Sequence, residues 1–296
     1  MSVKNMSSKL KMTSYADLCC AGDGFIEVPL SDLHTFKNHP FKVLDDEKMD
    51  EMVESIKLNG ILSPALVRTR QEGGYELISG HRRRHAAEIA GLETMPVIVK
   101  ELTDDEATII MVDSNIQREE ILPSEKAFAF KMKLEALEHQ EMLQGHHVPN
   151  VTMDEIGEEN GVSGRQVRRY IRLTYLIPEL LELVDTKEIS LVMGVEMSLL
   201  EKQVQEWIYE GILLGIKITP DQIKLIKNQV DNGDVSRELI MTIISSELRK
   251  RTSRNLTIKE NKLLSYFPKD YSIKQMENVI YELLDLWKER GEGFGE

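Results

Sequence analysis

The chain of 296 residues, 41% hydrophobic and 29% charged, is long enough for two or three domains with cores of their own, and its composition excludes a disordered chain. It has no apolar run near the roughly 20 residues of a membrane helix, and its first residues are polar and basic without the apolar stretch of a signal peptide, so the sequence predicts a cytoplasmic protein with no membrane partner. The net charge of −13 argues against a nucleic-acid partner only if the two signs are evenly spread, so their distribution decides the matter.

Residues 1–24 read as a flexible tail. It holds both cysteines, Cys19 and Cys20; neighbouring cysteines rarely bridge each other, and without a CxxC pair they are no zinc or redox motif. The spacing then predicts a strand over 25–30. A helix follows over 45–59, with Met49, Met52, Val53 and Ile56 on one face and Gly60 as its stop. Strands over 65–69 and 75–79 flank a Gly-Gly turn, a helix covers 82–90, and a last strand covers 96–100. These elements make a compact α+β module over residues 25–118.

From Thr103 the pattern is helical. Thr103 and Glu106 form a capping box, Pro123 opens a long helix to about Leu143, and a loop over 145–150 breaks it. Residues 119–200 are expected to form an all-α domain. Residues 201–255 read as a helical region and linker, ending in the basic run Arg249, Lys250, Arg251 and Arg254. In the C-terminal segment, 256–296, a helix over 272–290 places Ile273, Met276, Ile280, Leu283, Leu284 and Trp287 on one side, a face suited to dimerisation.

A helix-turn-helix is predicted over 152–175. Thr152 caps a short helix, Gly161 supplies the turn, and Ser163 caps the second helix. On that helix Arg165, Arg168, Arg169 and Arg172 fall at i, i+3, i+4 and i+7. Val167, Tyr170, Ile171 and Thr174 are expected on the packed side. A basic stripe with no acidic residue to neutralise it, directly after such a turn, suits the major groove. Ser163 and Gln166 complete the expected DNA-binding set; the alternative is a solvated basic face.

A second motif is Gly80, His81, Arg82, Arg83 and Arg84, where a strand ends and a helix begins. Helix N-termini carry free N–H groups and the positive dipole end. Arginines are unfavourable there unless an anion is present. The alternatives are a phosphate site and a plain basic surface. His81 and His85 are one turn apart but have no third ligand in view, so they read as a polar helix start. Asn115, Gln117 and Arg118 form a third, weaker segment of phosphate or metal-water partners.

Taken together these segments resemble the ParB/RepB partition-protein family. The likeness runs, in the family's order, through Asn38-His39-Pro40-Phe41, the stretch from Gly60 through Pro64 to Val67, the Gly80-His81-Arg82-Arg83-Arg84 box, and Asn115-Ile116-Gln117-Arg118. The resemblance implies a ParB/sulfiredoxin-like N-terminal nucleotide-binding fold ahead of the helix-turn-helix. It implies CTP and magnesium as ligands, with Gly80, Arg82, Arg83 and Arg84 on the triphosphate, Asn115 near the metal and the 60–64 loop toward the base. It further implies double-stranded DNA, a ParA-type ATPase and a second copy of the chain as partners, in plasmid, mobile-element or chromosome partition at the nucleoid. Two positions depart from the family pattern: His81 and Ser114 stand where it has Glu. Neutral groups replace hard anionic magnesium ligands poorly, so nucleotide binding with slow or absent turnover is expected. An enzyme on the same fold, a phosphotransferase or nuclease, and a nucleotide-independent transcription regulator are the competing functions.

Overall fold

The computed structural model describes residues 24–116, 118, 121–143, 151–233, 235–246, 266–268 and 271–289. The tail 1–23, Gln117, the 145–150 loop and the basic run 249–254 lie outside them. The chain divides into two compact units, Met1–Glu247 and Leu248–Glu296.

The first unit begins with five strands: β1 (Ile26–Pro29), β2 (Leu33–Thr35), β3 (Ala65–Thr69), β4 (Tyr75–Ser79) and β5 (Thr94–Val99). They form one mixed sheet in the order β1-β5-β3-β4-β2. β5 runs antiparallel to β1 and parallel to β3; β4 runs antiparallel to β3 and parallel to β2. The central strand β3 reads Ala-Leu-Val without polar alternation because both its faces are covered. Ala65 and Val67 join Leu77 and Val97 in one cluster, while Leu66 joins Ile78 and Ile98 in another. The three-residue β2 is too short to announce itself in the sequence. The fifth strand begins two residues before its expected start, at Thr94.

Two helices, α1 (Glu47–Asn59) and α2 (His81–Ala90), pack against each other through Met49, Val53, Ile56 and Ala86. The helix α3 (Asp104–Ile116) leads to α4 (Pro123–Leu143), then α5 (Met153–Glu159), α6 (Gly164–Leu173), α7 (Pro178–Asp185), α8 (Leu191–Met197), α9 (Lys202–Leu213), α10 (Pro220–Asp231) and α11 (Arg237–Ser245). One hydrophobic core runs from Leu66, Ile78 and Ile98 on the sheet through Met111 and Phe130 to Val167, Leu180, Ile226 and Ile240. The α/β module and the helices beyond it therefore share a core.

The second unit holds α12 (Ile273–Glu289), on which Tyr281, Leu283, Leu284 and Leu286 are exposed. The side chains of Ile273 and Trp287 lie outside the described residues. No helix among the described residues is long and apolar enough to cross a membrane.

Candidate functional site

Strand β4 ends at Ser79, and the chain turns at Gly80 with φ 111° and ψ 16°. A Cβ at Gly80 would lie 2.8 Å from the Cβ of Ala65, so both the backbone angle and the close approach to β3 demand glycine. Helix α2 then starts at His81, one residue earlier than the periodicity suggested, because His81 is buried and belongs to the first turn.

The three arginines that follow point to three different partners. Arg82 Nη2 donates to Asp46 Oδ1 at 3.0 Å; Asp46 also caps α1 by accepting from Met49 N. Arg83 Nη1 donates to the Ser63 carbonyl, to its hydroxyl at 3.1 Å and to the Pro64 carbonyl at 2.8 Å. The loop between Gly60 and Pro64 is thereby tied beside the start of α2. Arg84 pairs with Glu88 one turn on, at 2.9 Å. His85 Nε2 lies 2.7 Å from Asp45 Oδ1, so His81 and His85 face different partners and do not converge as a metal pair.

His81 instead stacks on His39, with ring centroids 3.8 Å apart. The Nδ1–H of His39 donates to the Phe41 carbonyl at 2.8 Å. Burial drives the His39 pKa down to about 4 against the pull of that hydrogen bond, with Arg118 adding to the fall. Burial, then His39, Arg118 and Arg84, drive His81 down to about 3. The guanidinium of Arg118 is itself held below its ordinary value by desolvation and by the like charge of Arg82, with Glu125 opposing and Arg83 adding. Positive groups from α2 and from the segment after α3 thus crowd one another.

The crowded groups are also incompletely bonded. Among the described residues, His39 Nε2, His81 Nε2, Arg82 Nε, Arg84 Nε and Asn115 Oδ1 are buried without a hydrogen-bond partner. Buried polar atoms are ordinarily paired, and like charges that repel one another are stabilised by an anion between them. A triphosphate fits these residues. Toward magnesium they offer one hard oxygen, Asn115 Oδ1, whose amide nitrogen is already committed to the Met111 carbonyl at 2.7 Å. The neighbouring Ser114 hydroxyl donates to the same carbonyl at 3.0 Å. Gln117 lies outside the described residues.

The nearby carboxylates have other duties. Glu125 is buried and accepts from Lys42 N at 2.7 Å and Leu122 N at 3.0 Å. Asp113 is held by Lys133, whose ammonium lies 2.6 Å from it and 2.7 Å from Glu159 at the end of α5.

The helix-turn-helix is α5 and α6. A full capping box joins Thr152 and Glu155, and Ser163 caps α6 by accepting from Gln166 N. The two helices cross at contact distance. A Cβ on Gly157 would lie 2.5 Å from the Val162 carbonyl oxygen, and one on Gly164 would lie 2.7 Å from Asp154 N. The packed side of α6 is Gly164, Val167, Tyr170 and Leu173. Ile171 and Thr174, expected there, are only half-buried, because the buried row advances by three residues from Gly164, which meets α5, through Tyr170, which stacks on Phe130 of α4. Arg165, Gln166 and Arg168 are exposed, and Arg169 and Arg172 half-exposed. None of the four arginines has an acidic partner among the described residues, while Arg172 sits 5.1 Å from the Tyr175 ring. Gln166 presents its side chain to solvent between Arg165 and Arg168.

These features define a class: a helix-turn-helix protein whose recognition helix shares a core with an arginine-lined α/β module. The ParB N-terminal domain model matches residues 19–116. The chromosome-partitioning protein Spo0J of Thermus thermophilus is 33% identical over 192 residues, 65% of this chain and 66% of that protein. The probable chromosome-partitioning protein ParB of Vibrio cholerae is 28% identical over 84% of this chain and 83% of that protein. Among solved structures, the C-terminally truncated ParB of Caulobacter crescentus complexed with CTP-γ-S is 27% identical, with a TM-score of 0.30, covering 60% of this chain and 93% of that one. The chain belongs to the ParB family of partition proteins.

Proposed function

We propose that this chain is a sequence-specific DNA-binding partition protein whose α/β module binds CTP with magnesium. The observation that carries this reading is the cluster of Arg82, Arg84, Arg118, His39 and His81 around the start of α2, with buried atoms left unpartnered. The backbone N–H groups of the first turn of α2 and the guanidiniums of Arg82, Arg83 and Arg84 would hold a triphosphate. Asn115 Oδ1 would contact the metal, which neutralises phosphate charge when bound. The 60–64 loop, tethered by Arg83, would face the base.

The exposed arginines of α6, with Ser163 and Gln166 at its start, form the DNA face; arginine reads guanine edges and phosphates in the major groove. Turnover is slow or absent in this reading, because neutral His81 and Ser114 stand where the family pattern has Glu and, among the described residues, Asp113 and Glu125 are committed elsewhere. A second copy of the chain, joined through α12, and a ParA-type ATPase complete the proposed assembly at the nucleoid. The test is binding of CTP and of ATP, each with and without DNA bearing the cognate site. CTP binding that DNA modulates supports the reading; binding of neither nucleotide leaves a nucleotide-independent regulator, and brisk turnover an enzyme.

A further inference from the structure

We propose that His39 and His81 form a proton-accepting pair, so that a polyphosphate settling at the start of α2 takes up protons from solvent as it binds. The inference rests on the nucleotide reading of this site and adds to it a means of regulation.

The geometry fixes the tautomer of His39. A carbonyl oxygen only accepts, so Nδ1 of His39 carries the hydrogen that reaches Phe41 O at 2.8 Å. The neutral ring then has a bare lone pair at Nε2, and that atom is buried and partnerless. His81, stacked 3.8 Å away, also has a buried, partnerless Nε2, and the residue is 7% exposed. The charges that reach the pair are Arg84 on α2 and Arg118 after α3, with Glu125 of α4 acting on Arg118. With no anion present, burial and these guanidiniums keep both rings neutral.

A phosphate group between Arg84 and Arg118 leaves the burial in place but opposes its effect. It neutralises the guanidiniums that oppose protonation and brings oxygens that accept from a protonated Nε2. The proton passes from buffer to imidazole, and no bond to phosphorus changes. A glutamate at position 81, as in the family pattern, is ordinarily ionised near neutral pH and brings a negative charge; the neutral histidine can instead gain a positive one.

Calorimetry of CTP with magnesium binding to the full chain, in two buffers of different ionisation enthalpy, counts the protons taken up. His39→Asn keeps an amide donor for the Phe41 carbonyl but does not titrate; His81→Gln removes the second ring. Near neutral pH the wild-type chain should take up roughly half a proton or more beyond either variant, and its advantage in affinity should grow by up to about tenfold per pH unit, per proton, as pH falls toward 6. Equal proton counts in wild type and variants overturn the proposal while leaving the site intact. Failure of the wild type to bind CTP overturns the site and the proposal together. Imidazole nitrogen shifts of the wild-type chain, with and without CTP, give an answer that needs no variant to fold: two rings that stay neutral on saturation sink the idea.

Discussion

The ammonium of Lys133 lies 2.6 Å from Oδ1 of Asp113, joining the middle of α4 to the helix that carries Asn115. Its other contact, Glu159, stands just before the turn into α6. One buried cation thus pins α3, α4 and α5, the elements between the anion site and the DNA face.

The three charges are not equally buried. The Lys133 side chain is 2% exposed, whereas those of Asp113 and Glu159 are 43% and 63% exposed. Burial pushes the Asp113 carboxyl above its usual range, with Lys133 opposing. Removing both carboxylates strands a buried ammonium, so Asp113→Asn with Glu159→Gln should cost about 3–5 kcal/mol. Lys133→Met leaves carboxylates that water can reach and should cost less, about 1–2 kcal/mol. Urea unfolding of the variants checks the order; a costlier Lys133→Met would contradict it.

The arginine stripe predicts how DNA affinity is distributed. Arg168→Ala or Arg172→Ala should weaken binding to the cognate site by about 1–3 kcal/mol where the residue reads a base. A residue that meets only phosphate should instead lower affinity uniformly and flatten the salt dependence. Titrations against cognate and scrambled duplexes separate the two, and wild-type affinity in both variants would show that α6 is not the recognition helix.

The buried imidazoles predict an acid-sensitive fold. Both pKa values are depressed, to about 4 for His39 and about 3 for His81. The unfolded chain therefore binds protons first, and the associated stability is complete above about pH 6.5 and lost as pH falls toward the folded values. Each pH unit in that window should cost up to ~1.4 kcal/mol per ring. Denaturation midpoints from pH 7 downward should fall more steeply for the wild type than for His39→Asn with His81→Gln; parallel curves would mean the rings are not buried neutral.

The exposed side of α12 predicts association. Of the side expected to associate, Leu283 and Leu284 are exposed, Ile280 is half-buried and Met276 is buried, and exposed neighbouring leucines on one helix face suit an interface. Deleting residues 256–296 should convert a dimer to a monomer by light scattering. An unchanged mass would remove α12 from the interface.

Much of this organisation is legible in the sequence, and the gaps have physical causes. Helix periodicity, the Ser163 cap and the Gly80 turn act within a few residues, so local pattern reveals them. The pairing of β2 with β4 depends on chain distant in sequence, and three residues are too few for a period. His39 lies in a segment noticed only for its resemblance; its role emerges from stacking on His81, 42 positions on. Lys133 left a readable sign, a lysine at helical spacing within the apolar row of Ala129, Phe130 and Ala136, which calls for acidic partners. The partners themselves, 20 and 26 residues away, required the fold.

The proposed role of the start of α2 is that of a nucleotide site with little turnover. Calorimetry of CTP binding to wild type and to Arg82→Ala, run beside a phosphate-release assay with cognate DNA, tests it most directly. CTP binding should saturate in the wild type and be lost or weakened at least about tenfold in Arg82→Ala, the equivalent of one charge-assisted hydrogen bond, with slow or no phosphate release. CTP binding untouched by Arg82→Ala, or rapid release of phosphate, would contradict it.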